Sequence, residues 1–150
     1  MSIENITFQK LIDDSYKKEL SDLSISTFGL DDFTHHDDIF DIFVAITNGE
    51  NNSKSNLVGY SSFLDIGDGS ELMQICINSS YRRQNIATKL LDSCLAHMST
   101  PIFLEVRETN YSAQQFYYKY GFKQIGLRKN YYHDTGESAL VLKYSGDQNV

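Results

Sequence analysis

The sequence predicts an α/β fold in one domain: a mixed, mostly antiparallel sheet of about six to seven strands, flanked by about four helices. Three observations carry that expectation. Residues 72–91, LMQICINSSYRRQNIATKLL, run from an apolar, β-branched strand through a polar turn into an amphipathic helix. A further strand, IFLEVR, follows that helix, and a strand, helix and strand of this length form a crossover whose two strands are parallel and neighbouring. Ahead of residue 72 the apolar runs are joined by polar turns, the pattern of an antiparallel meander.

Taken in order, residues 3–11 alternate Ile3, Ile6 and Phe8 as a first strand. Asp13-Asp14-Ser15 is a helix-start signal, and Tyr16, Leu20, Leu23 and Phe28 recur at helical spacing up to Gly29. Residues 31–38, DDFTHHDD, are the most acidic stretch and read as a solvated loop or helix edge. Adjacent His35 and His36 do not point at one ion from a regular element, so no metal site is assigned. Strands at 41–47 and 57–66 enclose a polar turn at 48–56, and Gly67-Asp68-Gly69 is a hairpin turn into strand 72–77, expected to be covered on both faces. A helix over 82–98 places Ile86, Leu90, Leu91, Cys94 and Leu95 on one face and stops before Pro101. Strand 102–107, a helix over 112–120 ending at Gly121, and strands 123–128 and 138–144 around a loop at 131–137 complete the pattern. Residues 145–150 read as a disordered tail.

Composition narrows the function classes. With 150 residues, 41% hydrophobic and 22% charged, the chain suits one soluble domain with one core, spanning 1–150. No run of eighteen apolar residues occurs, and MSIENITFQK lacks a basic-then-apolar leader pattern, so the expected location is cytoplasmic, without a membrane partner. Cys76 and Cys94 fall outside any metal or redox spacing and suit buried free thiols. The balance of 13 basic against 20 acidic residues, net −7, argues against nucleic acid and is compatible with a cationic substrate.

The chemistry concentrates in two stretches. In the first, Arg82 and Arg83 precede Gln84, Asn85, Ile86, Ala87 and Thr88, where small or amide side chains open a helix. A helix N-terminus presents unpaired N–H groups and the positive end of its dipole, which suits a phosphate. Arg82-Arg83-Gln84-Asn85-Ile86-Ala87 resembles motif A of the GCN5-related N-acetyltransferases, Arg/Gln-x-x-Gly-x-Gly/Ala, with Asn85 in place of the central Gly. The second stretch, 104–122, LEVRETNYSAQQFYYKYGF, is similar to the LEVR-x-x-N-x-x-A-x-x-x-Tyr-x-x-x-Gly-Phe run of that superfamily, most closely its RimI-type N-α-acetyltransferases of ribosomal proteins. The likeness continues through 126–132 and 139–142, so it covers about the C-terminal half in the family's order.

The resemblance implies a GNAT fold with a splayed parallel strand pair, and acetyl-CoA as cofactor. Gln74, Ile75, Cys76 and Ile77 would pair by backbone with the pantetheine arm, residues 82–88 would hold the pyrophosphate, and Asn110 would contact the cofactor. Asn110 equally suits a helix cap. Glu105 matches the family's general base; the alternative is an edge carboxylate paired with Arg107 or Lys143. Tyr117 matches the general acid, with Tyr118 as its neighbour and core packing as the alternative. Tyr131 and Tyr132 match the acceptor groove, or else pack at a strand end. The chain has no Trp, and its one Pro is placed elsewhere than the Pro-Trp-Ser-like element usual in RimI-type enzymes; the acidic residues 31–38 either contact a basic acceptor there or are bystander surface. The implied function is transfer of acetyl to a primary amine by direct attack, the acceptor being a protein N-terminal α-amine of the ribosomal-protein type. Two alternatives stand: a small-molecule amine acceptor (polyamine, aminoglycoside or amino acid), and a non-catalytic acyl-CoA-binding sensor. Monomer and homodimer both remain open.

Overall fold

The computed structural model describes residues 5–29, 39–49 and 54–146. The acidic stretch 31–38, part of the turn at 48–56 and most of the 145–150 tail lie outside the described residues. The chain forms two compact units, Met1–Asp65 with Met73–Met98, and Ile66–Leu72 with Ser99–Val150.

In the first unit, β1 (Ile6–Lys10) pairs antiparallel with β2 (Phe40–Thr47), from Ile6↔Thr47 to Lys10↔Phe43, and β2 pairs antiparallel with β3 (Leu57–Asp65). Helix α1 (Lys17–Phe28) begins after a turn in which the Ser15 N–H donates to Asp13 Oδ1 at 2.9 Å. It ends at Gly29, whose φ of 75° no β-carbon opposes and whose N–H closes on the Ile25 carbonyl. Leu20 of α1 packs with Val44, Ile46, Leu57, Tyr60 and Cys76 on one sheet face; Ile86 packs with Ile6, Ala45 and Val58 in a second cluster. β2 buries its last five residues in succession and β3 its first seven, as strands covered on both faces do.

Strand β4 (Ser70–Ile77) starts two residues before its predicted beginning and is not covered throughout: Leu72 and Cys76 are buried while Met73 is exposed and Gln74 and Ile75 are half-buried. Gly59 of β3 explains how closely β4 approaches. A Cβ there would stand 2.6 Å from the Cys76 carbonyl oxygen and 2.6 Å from Ile77 Cδ1, so only hydrogen fits. Helix α2 (Ile86–Leu95) is shorter than the predicted 82–98. Arg82 is extended, and Arg83 (φ 64°) and Asn85 (φ 58°) are left-handed, which a right-handed helix cannot include. Its buried Ile86, Leu90, Leu91 and Cys94 lie on the predicted face; full burial of each aliphatic side chain contributes about 1.5–3 kcal/mol.

In the second unit, Ser70↔Ile102 and Glu71↔Phe103 pair β4 in parallel with β5 (Ile102–Arg107), the expected crossover, and the ladder stops after those two pairs. The Ser70 N–H donates to the Pro101 carbonyl at 3.0 Å and its hydroxyl to the Ser99 carbonyl at 3.0 Å, anchoring the start of β4. Helix α3 (Tyr111–Tyr120) ends at Gly121, one residue earlier at its start than predicted. β6 (Lys123–Arg128) and β7 (Ala139–Tyr144) pair antiparallel, and β7 pairs antiparallel with β5. The seven strands run in the order β1-β2-β3-β4-β5-β7-β6, with one parallel pair, as the fold class required. Among the described residues there are three α-helices and a 3₁₀ turn at Ser79–Tyr81, not four helices. None of the described helices is long and apolar enough to cross a membrane.

Candidate active site

The candidate cofactor loop belongs to the first unit. Asn78 folds it by accepting the Ser80 N–H at 3.0 Å, and Arg82 Nε donates to the Ile77 carbonyl at 3.3 Å. Gln84 is half-buried, and Arg82 and Arg83 are exposed. Asn85 occupies the N-cap of α2 in the left-handed region that favours glycine, and asparagine is among the side chains that enter it most readily. Its side chain makes no cap hydrogen bond, so the N-cap residue leaves the first-turn N–H groups of Ile86, Ala87 and Thr88 uncapped. Two nearby cations and an uncapped helix start fit an anionic group such as a pyrophosphate. Upstream in β4, Gln74 Oε1 accepts the Tyr60 hydroxyl at 2.7 Å, Ile75 is half-buried, and Cys76 lies 2.9 Å from the Thr27 hydroxyl. Both cysteines are free and buried; burial pushes the Cys76 thiol up and holds Cys94 at about 12.

The candidate acceptor site belongs to the second unit. On β5, Ile102, Leu104 and Val106 are buried, while Phe103, Glu105 and Arg107 occupy the alternate positions. Glu105 keeps 15% of its side-chain surface exposed. Its Oε1 lies 3.0 Å from Arg128 Nε at the end of β6, and the Tyr131 hydroxyl donates to the same carboxylate, which raises the Tyr131 pKa. Neither Arg107 nor Lys143 takes the partner role that the alternative reading gave them. Lys143 lies 5.7 Å from the Phe103 ring centroid. Arg107 ends its strand beside the 129–138 loop, where Asp134 and Glu137 each accept from it at 3.0 Å and the Tyr132 ring stacks 3.9 Å beneath its guanidinium. The Thr109 hydroxyl also donates to Glu137. Tyr131 and Tyr132 meet edge to face, 5.1 Å between centroids.

Tyr117 is on the buried side of α3, against Phe116 at 5.3 Å and Phe122 at 5.4 Å. Burial pushes its phenol up to about 12, and among the described residues its hydroxyl has no hydrogen-bond partner. Tyr118 is exposed. Asn110 caps α3, accepting the Ala113 N–H at 3.2 Å, which realises the capping role foreseen for it. Arg128 was missed as a site residue. Its signal was the RKNYY run at the end of a strand, but which carboxylate it meets depends on the β5–β7–β6 order, which no local pattern encodes.

The sequence profile of the Acetyltransferase (GNAT) family matches residues 6–122. The chain belongs to that family. Among GNAT relatives, a Bacillus subtilis (strain 168) protein provisionally named ribosomal protein bS18-alanine N-acetyltransferase is 36% identical over 91 residues, 58% of this chain and 60% of its own length. The match thus spans less than two thirds of that relative. Two solved GNAT-fold neighbours cover nearly the whole chain. The ribosomal-protein-S18-alanine N-acetyltransferase of Escherichia coli superimposes with a TM-score of 0.70 at 20% identity, over 97% of this chain and 98% of that one. Arabidopsis thaliana NAA60 in complex with acetyl-CoA gives 0.73 at 15% identity, over 93% and 98%. At those identities the likeness shows the fold.

Proposed function

We propose that this protein is an acetyl-CoA-dependent N-acetyltransferase acting in the cytoplasm on the α-amine of a protein N-terminus, of the ribosomal-protein type. The observation that carries the reading is Glu105: a carboxylate set among buried apolar positions of β5, partly open to solvent and held by a cation and a phenol. Family membership and relatives named for ribosomal-protein alanine acetylation support it.

Bound acetyl-CoA would supply an activated acetyl thioester; Arg82, Arg83 and the N–H groups of Ile86, Ala87 and Thr88 would hold its phosphates, and the β4 backbone from Gln74 to Ile77 its arm. The acceptor ammonium must lose a proton before its nitrogen can attack, and Glu105 receives it, directly or through a water. The phenol of Tyr117, protonated at neutral pH by a wide margin, carries the proton that a departing thiolate would need. Tyr131 and Tyr132, fixed beside Glu105, line the path of the acceptor.

The test is thiol release from acetyl-CoA with peptides bearing a free α-amine, N-terminally blocked lysine peptides, and polyamines. Turnover confined to free α-amines is expected, and Glu105→Gln should lower kcat by about 10²–10⁴ while leaving acetyl-CoA affinity within about twofold. Turnover only with polyamines would discard the protein acceptor. Binding without turnover for any amine would replace the enzyme with a sensor.

A further inference from the structure

The charged groups around Glu105 form an unequal set. From β6 comes the guanidinium of Arg128, 3.0 Å from Glu105 Oε1; from the following loop come the hydroxyl of Tyr131 and, beyond it, Tyr132. β7 places apolar Val141 opposite Glu105 in register. Arg107, two residues along β5, is engaged by Asp134 and Glu137. Lys143, two residues from Val141 on the same face of β7, has its ammonium 5.7 Å from the Phe103 ring centroid, so among the described residues Arg128 is the cation paired with Glu105; its own side chain remains 59% exposed, with its guanidinium 5.5 Å from the Tyr131 ring centroid.

A carboxylate intended to take a proton from an ammonium faces a conflict. Its negative charge attracts the ammonium but also raises the ammonium's pKa, so the amine binds in the form that cannot attack. A fixed neighbouring cation cancels most of that pull while leaving lone pairs free, since a carboxylate offers about four acceptor sites and Arg128 and Tyr131 take two. Arginine suits the task because it does not itself titrate in the working range.

We propose that Arg128 is a charge-setting residue of the acceptor site, which keeps the bound α-amine easy to deprotonate by balancing the charge of Glu105. The inference rests on the reading of Glu105 as the base. Arg128 exchanges no proton and acts on the acceptor only through the field it superimposes on the carboxylate.

The experiment follows the Cα resonance of an acceptor peptide, ¹³C-labelled at its first residue, through a pH titration while bound to the protein, for wild type, Arg128→Gln and Arg128→Lys. In parallel, kcat and KM are measured across the same pH range. A unit charge about 6 Å away in a partly exposed site moves a pKa by about 0.5–1 unit, so the bound amine in Arg128→Gln should titrate higher by that amount. The rising limb of kcat should move up with it, KM near neutrality should fall about three- to tenfold, and the limb of kcat/KM, which reports free enzyme and free peptide, should stay in place. Arg128→Lys should restore the wild-type behaviour. An unchanged bound-amine titration in Arg128→Gln, or a loss of kcat uniform across pH, would overturn the proposal, because damage to packing alone moves no limb. The base assignment fails separately: Glu105→Gln with wild-type kcat would remove it, whereas the bound-amine titration reads Arg128 without any turnover.

Discussion

Tyr117 poses a problem of residue chemistry, since a buried hydroxyl with no partner among the described residues is ordinarily a cost to folding. If the side chain serves only as core, Tyr117→Phe keeps the ring contacts with Phe116 and Phe122, removes that cost and changes nothing else. If it is the proton donor, the same substitution should leave thermal stability unchanged or raise it by up to about 1 kcal/mol, while kcat falls by about 10²–10⁴. Tyr118→Phe, at an exposed position, should alter neither. Melting curves and turnover of the two variants decide the matter, and an undiminished kcat in Tyr117→Phe would move the acid elsewhere. At this scale the sequence was informative about residue types and less so about their partners. Asn85 reads in the sequence as a departure from the motif glycine; its φ of 58° shows that the backbone retains a glycine-favoured conformation there. Glu105 could be singled out in the sequence, with Arg107 or Lys143 as its alternative partner, but Arg128 could not be read as that partner, because the two meet across β7.

At the scale of elements, the 129–138 loop is held by charge. The Asp134 carboxyl is lowered below its ordinary 3.8, chiefly by its hydrogen bonds from Arg107, and the Glu137 carboxyl below 4.5, by the Thr109 and Thr135 hydroxyls and then by Arg107. Both folded-state values lie under the unfolded ones, so as pH falls the unfolded chain takes up protons first. The stabilisation is complete above the ordinary carboxyl values and is lost as pH falls through the depressed ones. Arg107→Gln should therefore melt below wild type by a constant margin above about pH 6, and the margin should begin to shrink as pH falls below about 5 and go on shrinking through the depressed carboxyl values. The near-ultraviolet signal of the Tyr131–Tyr132 pair, with Tyr132 stacked on Arg107, should loosen over the same interval in wild type. A margin that persists unchanged to pH 3 would mean that Arg107 acts by packing alone. Local patterns located this loop and both flanking strands well, since Gly121 and the polar run from His133 to Glu137 punctuate them. They overran at α2, where residues 82–85 have helix-compatible composition but a backbone that twice enters the left-handed region. They also misjudged β4, because cover on a strand's faces depends on what packs there, not on its own apolar content.

Across the whole molecule, the sheet order β1-β2-β3-β4-β5-β7-β6 was legible in part: the crossover from β4 to β5 followed from strand and helix lengths, and the meander from its turns. The insertion of β7 between β5 and β6 was not, since hairpin-like neighbours in sequence leave open which strand takes the inner place. Arg128 therefore meets Glu105 across the width of β7, by the reach of its long side chain. Charge is the other whole-molecule property, and it is read directly: a net −7, with Asp31, Asp32, Asp37 and Asp38 grouped in one stretch. A field of that sign accelerates the approach of cationic peptides and is screened over about 10 Å at 0.1 M salt. For an acceptor with basic residues after its free α-amine, kcat/KM should fall about three- to tenfold between about 20 mM and about 300 mM salt, while a peptide carrying no charge beyond its α-amine should lose about twofold or less. Arg128→Gln, which removes one positive charge from the candidate acceptor site, should steepen the first dependence. A basic peptide with a flat salt response would show that the net negative charge serves solubility and does not steer the acceptor, and it would leave recognition to the side chains that touch the first residues of the peptide.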